Sequence, residues 1–238
     1  MPSPDPSNVS PSRPLARALV TLAGTPTDAP DVDAQLALIA GLAVDRVAAV
    51  AYASITGERG EQHTTVAAGG DLARSVDQAL DGAGRVSGDG KPTRVPLKAA
   101  MMRWPRFRDE AFDLGLRASV SLPLYDGTAG AVAVLDLYGH DHDAMAPVIV
   151  AVWSVYDPHR PLPDDSAELP ALEPGAVELV DGFAEVLVVR GTILTALSMI
   201  MASRRCDPGH AGVILRLRAA AAGTDLAAAA AALIAESV

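Results

Sequence analysis

An α+β protein is predicted: an antiparallel sheet flanked by helices, then one long helix leading into a C-terminal three-helix unit. Three observations carry this expectation. Residues 118–124 and 131–138 are apolar-rich runs joined by the turn Asp126-Gly127, the pattern of a hairpin. From Pro174 to Ser203 apolar residues recur at three- and four-residue steps (Ala176, Leu179, Phe183, Leu187, Leu194, Leu197, Met201), the stripe of one amphipathic helix with proline in its first turn. Beyond it, Asp207-Pro208 starts a second helix that stops at Gly223, and Thr224 or Asp225 caps a third with apolar positions Leu226, Ala229, Ala230, Leu233 and Ile234.

The remaining elements follow in chain order. Residues 1–14 are rich in proline and serine with no apolar period, and read as a mobile tail. Leu15 to Ala23 and Val32 to Leu42 read as helices, and Val47 to Ile55 as a strand. Gly57-Glu58-Arg59-Gly60 is expected to turn the chain, with His63 to Ala68 returning as the next strand. Asp71 caps a helix to Leu80, Gly82 to Gly90 is a glycine-rich link, and Thr93 to Leu97 is a short strand. Met145 to Tyr156 contains the β-branched run Val148-Ile149-Val150 and reads as an extra edge or interface strand. The expected division is a sheet-bearing domain over 15–157, a linker over 158–173 rich in Pro and Asp, and a helical unit over 174–238.

Composition narrows the functions. The 238 residues are half hydrophobic, enough for one good core and a smaller module. No unbroken apolar run of bilayer length stands out, and the N-terminus lacks the basic-then-apolar order of a signal peptide, so a cytoplasmic protein without a membrane partner is expected. The lone Cys206 excludes an internal disulfide and any CxxC motif. A net charge of -10 opposes non-specific coating of nucleic acid. From Arg190 onward the balance reverses: Arg190, Arg204, Arg205, Arg216 and Arg218 outnumber Asp207, Asp225 and Glu236. A local, specific phosphate contact is therefore open to the C-terminal unit.

The C-terminal residues carry a resemblance. Arg190, Ile193 and Ala196 match R-x-x-I-x-x-A, and Ile200-Met201 matches a following Leu-Met. Ala211, Leu215, Arg216 and Ala219 match A-F-x-x-L-R-x-x-A, and Leu226 with Ala230 matches L-x-x-V-A. This segment resembles the ANTAR domain, the RNA-binding module of transcription antitermination regulators. It departs at Ser198 for the usual glycine, at Gly212 for the aromatic, at His210 for the capping-box acid, and in a loop before Leu226 one residue short. Upstream, Leu-Gly-Leu-Arg-Ala-Ser-Val-Ser-Leu-Pro-Leu from Leu114 and the run Gly130 to Tyr138 are similar to the closing hairpin of GAF domains. That resemblance implies an antiparallel-sheet sensor of small molecules.

Together the resemblances imply a bacterial GAF-ANTAR regulator: a homodimer that senses an unidentified small molecule and binds a hairpin in nascent RNA to prevent termination. Signal would pass by a change of register along the long helix. RNA contacts would come from Arg204, Arg205, Arg216 and Arg218, because no aromatic ring follows Phe183 to stack on bases. Ala196, Met201, Ala211, Leu215, Ala219, Leu226 and Ala230 would pack the unit. Tyr52, Trp104, Phe107, Phe112 and Arg117 are candidates for a ligand pocket, with core packing as the other reading of the rings. A tail that only dimerises or docks a protein partner remains the alternative.

No cofactor and no enzyme are expected. G-x-S-x-G, H-E-x-x-H and Walker A sequences are absent, and Gly82 to Gly88 lacks phosphate-loop spacing. His140-Asp141-His142-Asp143 has metal-ligand composition, since alternate residues of an extended segment share a face, but no further ligands at motif spacing accompany it. No metal is expected.

Overall fold

The computed structural model describes residues 13–26, 29–59, 62–68, 115–159 and 169–237. Among these residues six helices and four strands occur: α1 Pro14–Gly24, α2 Val32–Arg46, β1 Tyr52–Arg59, β2 Gln62–Ala68, β3 Ala118–Tyr125, β4 Ala131–Gly139, α3 His142–Tyr156, α4 Pro174–Arg204, α5 Pro208–Ala222 and α6 Leu226–Ala235. Residues 1–12 of the expected tail, the elements between Asp71 and Leu97 and most of the linker lie outside the described residues; the tail's last two residues are ordered instead, Pro14 opening α1 and Arg13 pairing with Asp181 and Glu185 of the long helix. The sheet is antiparallel, in the order β2-β1-β4-β3. The α+β class is thereby established.

Alternation decides which way the sheet faces. Ala53, Ile55, Val120, Leu122, Leu135 and Leu137 point into one core, where Leu15, Leu22, Ile39, Met145, Val152, Leu179 and Phe183 of the helices cover them. The opposite face carries Tyr52, Ser54, Ser121, Asp136 and Tyr138 in register.

Three expectations require correction. The first strand starts at Tyr52, because Val47 caps the end of α2 with its N–H on the Ala43 carbonyl and Val50 closes a turn onto Val47. Its far end also moves: pairing continues to Arg59↔Gln62, so Gly57, Glu58 and Arg59 are strand residues and the reversal falls at 60–61, outside the described residues. Met145 to Tyr156, read as an extra edge or interface strand, lie in helix α3, His142–Tyr156. The Asp141 carboxylate accepts from Asp143 N at 2.8 Å and Ala144 N at 3.4 Å, and buried Met145, Val148, Ile149 and Val152 fall at i, i+3, i+4 and i+7. Burial against the sheet and α4 outweighs the β preference of the valines and isoleucine.

Helix α4 is built into the rest by small residues and carboxylates. Glu173 caps it, accepting from Gly175 N and Ala176 N at 2.8 Å each, and accepts also from Ala48 N at 3.0 Å. A Cβ on Gly175 would fall 1.7 Å from the Arg46 carbonyl oxygen, and one on Gly182 would fall 2.6 Å from Ala16 Cα. Only glycine permits those approaches. Arg13 gives α1 no side-chain cap; instead buried Glu178 of α4 accepts from Leu15 N at 2.6 Å and Ala16 N at 3.3 Å, with Arg46 at 3.4 Å.

By length and composition α4 is apolar enough to cross a membrane, and so is the α5–α6 pair across its 97° bend. The expectation concerned an unbroken apolar run, and α4 is interrupted by Glu178, Asp181, Glu185 and Arg190, so its high mean hydropathy leaves that expectation as it was. The buried residues of α4 divide between two cores: Leu179, Phe183 and Val186 belong to the first, and Ile193, Ala196 and Ile200 to the second.

Candidate nucleic-acid interface

The second core determines where the C-terminal arginines stand. Ile193, Ala196 and Ile200 of α4 meet Ala211, Leu215 and Ala219 of α5 and Leu226, Ala229 and Ala230 of α6, with Met201 partly buried beside them. The alanines expected to pack are all inside. Sharp corners separate the helices. Arg205 leaves α4 in the left-handed region at φ 52°, and Asp207 then caps α5. Asp207 accepts from His210 N at 3.0 Å and pairs with His210 Nδ1 at 2.8 Å, so the histidine replaces the capping-box acid with a ring contact. Those bonds, backbone first, hold the Asp207 carboxyl at about 2, below its ordinary value. Left-handed Gly223 ends α5, and Asp225 caps α6 by accepting from Ala228 N at 2.7 Å.

The four arginines are not equivalent. Arg204 and Arg205 are adjacent and exposed at the end of α4, and neither side chain has an ionic or hydrogen-bonding partner among the described residues. Arg216 is half-buried and likewise unpaired, whereas Arg218 is held by Glu236 beyond α6. Two positions on a helix differ by about 200°, so Arg216 and Arg218 flank the Ala211–Leu215–Ala219 stripe on opposite sides. They share no single face.

Arg190 has another task. Its Nε donates to the Ala129 carbonyl at 2.9 Å, and its guanidinium lies 4.6 Å over the Tyr125 ring. Burial pushes the Tyr125 phenol up to about 12, with Arg190 acting the other way, so the ring is neutral under the cation. This contact joins the β3–β4 turn to α4, and Ala129 itself belongs to the second core. Sequence reading counted Arg190 as a motif residue and as a charge; its partner lies 61 residues away, beyond any local signal.

On the sheet side the candidates for a ligand pocket scatter. Tyr52 is buried against Tyr138, ring centroids 5.4 Å apart, while Arg117 is exposed and its backbone N–H donates to the Gly139 carbonyl. Trp104, Phe107 and Phe112 lie outside the described residues. Residues that sequence reading missed join Tyr52: Ser54, Asp136 and Ser121 form a cross-strand row on the same sheet face, with the Ser121 hydroxyl on the Asp136 carboxylate. Ser54 is buried, and its hydroxyl has no hydrogen-bond partner among the described residues. The available signal was polar residues in the off-phase of three apolar strands, legible only once the register is known.

The His140–Asp143 cluster is a helix start. Asp141 caps α3, His140 Nδ1 lies 3.2 Å from the Gly115 carbonyl, and His142 opens the helix, so the extended geometry assumed for this segment does not occur. No group of three potential metal ligands converges among the described residues. Compared with known proteins, the chain matches no protein-family model and no curated protein sequence.

Proposed function

We propose that this protein is a GAF-ANTAR-type transcription antitermination regulator, in which the sheet unit responds to a small molecule and the C-terminal unit binds a hairpin in nascent RNA. The observation that carries the reading is the pair Arg204-Arg205: two unneutralised cations at a helix end, in a chain of net charge -10, beside a unit whose motif residues Ala196, Ala211, Leu215, Ala219, Leu226 and Ala230 form one core. Arg216 extends this charge. Arg218 joins by exchanging the Glu236 carboxylate, an exposed pair of small net worth, for a phosphate. The cross-strand polar row of buried Ser54 with part-buried Asp136 and Ser121 favours the sheet as the sensing element. Helix α4 presents Ala184, Val188, Gly191, Thr195, Ser198 and Ala202 at alternating four- and three-residue steps, and Val188 is 69% exposed. A second copy of the helix fits that seam, giving a homodimer. Its packing into two cores and its interior charges Glu178, Asp181, Glu185 and Arg190 favour a cytoplasmic location.

Filter binding of a hairpin RNA at two salt concentrations tests the reading. Replacing Arg204 and Arg205 by alanine should weaken binding and lower the salt dependence by about two released counterions. Equal binding by wild type and variant would defeat it. One observation favours a second reading, a docking tail for a protein partner: Val213 and Leu217 on α5 are exposed, Leu217 by 65%. In that case Leu217→Asp abolishes partner binding and the arginine variants leave it intact.

A further inference from the structure

The turn between β3 and β4, residues 126–130, is held more tightly than a surface loop requires. Asp126 Oδ1 accepts from Thr128 N at 2.9 Å and from Thr128 Oγ1 at 2.6 Å, and Ala129 N donates to the Asp126 carbonyl at 2.8 Å. Gly127 N donates to the Thr25 carbonyl just beyond α1 at 2.7 Å. Ala129 sits in the left-handed region at φ 60°, a conformation disfavoured for a residue with a Cβ. Strain of that kind persists only where surroundings fix it. Here the Ala129 methyl is buried in the second core and its carbonyl receives Arg190 Nε.

Gly127 reveals how close the approach is. A Cβ there would lie 2.3 Å from Leu226 Cδ1 and 2.9 Å from the Thr25 carbonyl oxygen. Its own φ is outside the left-handed region, so the backbone would accept alanine and only the neighbours forbid it. Leu226 opens α6, the last helix of the C-terminal unit. The tip of the sheet hairpin therefore touches α4 through Arg190 and α6 through Leu226 at once.

We propose that the 126–130 turn is a latch: it completes the C-terminal core and makes the packing of α6 on α4 conditional on the position of the sheet. Arg190 is its positioning residue. Movement of β3 or β4 withdraws Ala129, opens the second core and loosens α6, while the sheet unit keeps its own core. This device goes beyond RNA recognition and stands whether or not the C-terminal unit binds RNA.

Hydrogen exchange of the full-length protein, read by mass spectrometry, tests it. Gly127→Ala and Arg190→Ala should each accelerate exchange in residues 226–235 by about tenfold and leave 118–124 and 131–138 unchanged. Gly212→Ala, on α5 with nothing within 4 Å of its added Cβ, should show no acceleration. The latch is overturned if exchange in α6 stays within about twofold of wild type in both variants, or if the sheet accelerates equally. RNA titration of the wild type is read separately: failure to bind there refutes the RNA reading and leaves the exchange result to decide the latch.

Discussion

Behind the sheet the buried residues are large, with Leu15, Leu22, Ile39, Leu122, Leu135, Leu137 and Phe183 meeting in one cluster, whereas six of the ten buried members of the C-terminal core are alanine. Each buried methylene contributes about 0.8 kcal/mol, so an alanine returns far less than a leucine at the same depth. Small residues let helices approach closely but leave the unit little stability of its own. It recovers some by borrowing from the sheet unit: α4 is shared, Ala129 is inserted, and Arg190 holds the insertion. The C-terminal unit is thus an annex that takes part of its core from the sheet unit.

The comparison breaks most clearly at Phe183, on the sheet side of α4. Phe183→Ala should cost about 3–5 kcal/mol, seen as a large drop in the urea midpoint, and both units should unfold together because they share the helix. If the annex melted separately and unchanged, its dependence on the sheet would be disproved. Leu215→Ala on α5 should cost about 2–4 kcal/mol but only locally. Exchange should rise over 208–235, while the near-ultraviolet signal of Trp153, packed edge-on against Tyr156 at 6.2 Å, stays intact. A loss of that signal would mean one indivisible core.

How much of this was visible in sequence follows from whether the cause of each feature is local. Helix ends at Asp207, Gly223 and Asp225 were legible, since a cap acts on amides two or three residues away. The β3–β4 hairpin was legible because two apolar-rich runs flank the turn pair Asp126-Gly127, even though β4 is buried on both faces and does not alternate. In α3 the β-branched run drew attention away from the spacing of Met145, Val148, Ile149 and Val152 and from the Asp141 cap, and the period was the better guide. Val47 and Val50 looked like strand because they are buried, although they line the turn after α2. At the candidate site the exposed pair Arg204-Arg205 could be read directly. The sorting of Arg190 to Ala129 and Arg218 to Glu236 could not, since both partners arrive through the tertiary fold. Gly127 looked like an ordinary turn glycine, and only the nearness of Thr25 and Leu226 explains it.

The smallest expected effect concerns pH, at the cap where the annex begins. The Asp207 carboxyl is depressed to about 2 by bonds from the His210 backbone and ring, so its contribution to stability is present above the ordinary value of 3.8 and fades as pH falls through about 2. A carboxyl resonance followed by NMR should therefore titrate well below the usual range, and His210→Ala should move its midpoint upward by removing the ring contact while the backbone bond remains. An unmoved midpoint in that variant would show that the ring does nothing for the cap. Asp207→Asn keeps a good capping oxygen but has no charge to lose, so the acid-induced fraying of α5 should vanish with little change at neutral pH. The sheet unit gives the annex its apolar support through Ala129 and Arg190; at Asp207 the annex orders its own first turn by hydrogen bonds alone, in a stretch too exposed for burial to assist.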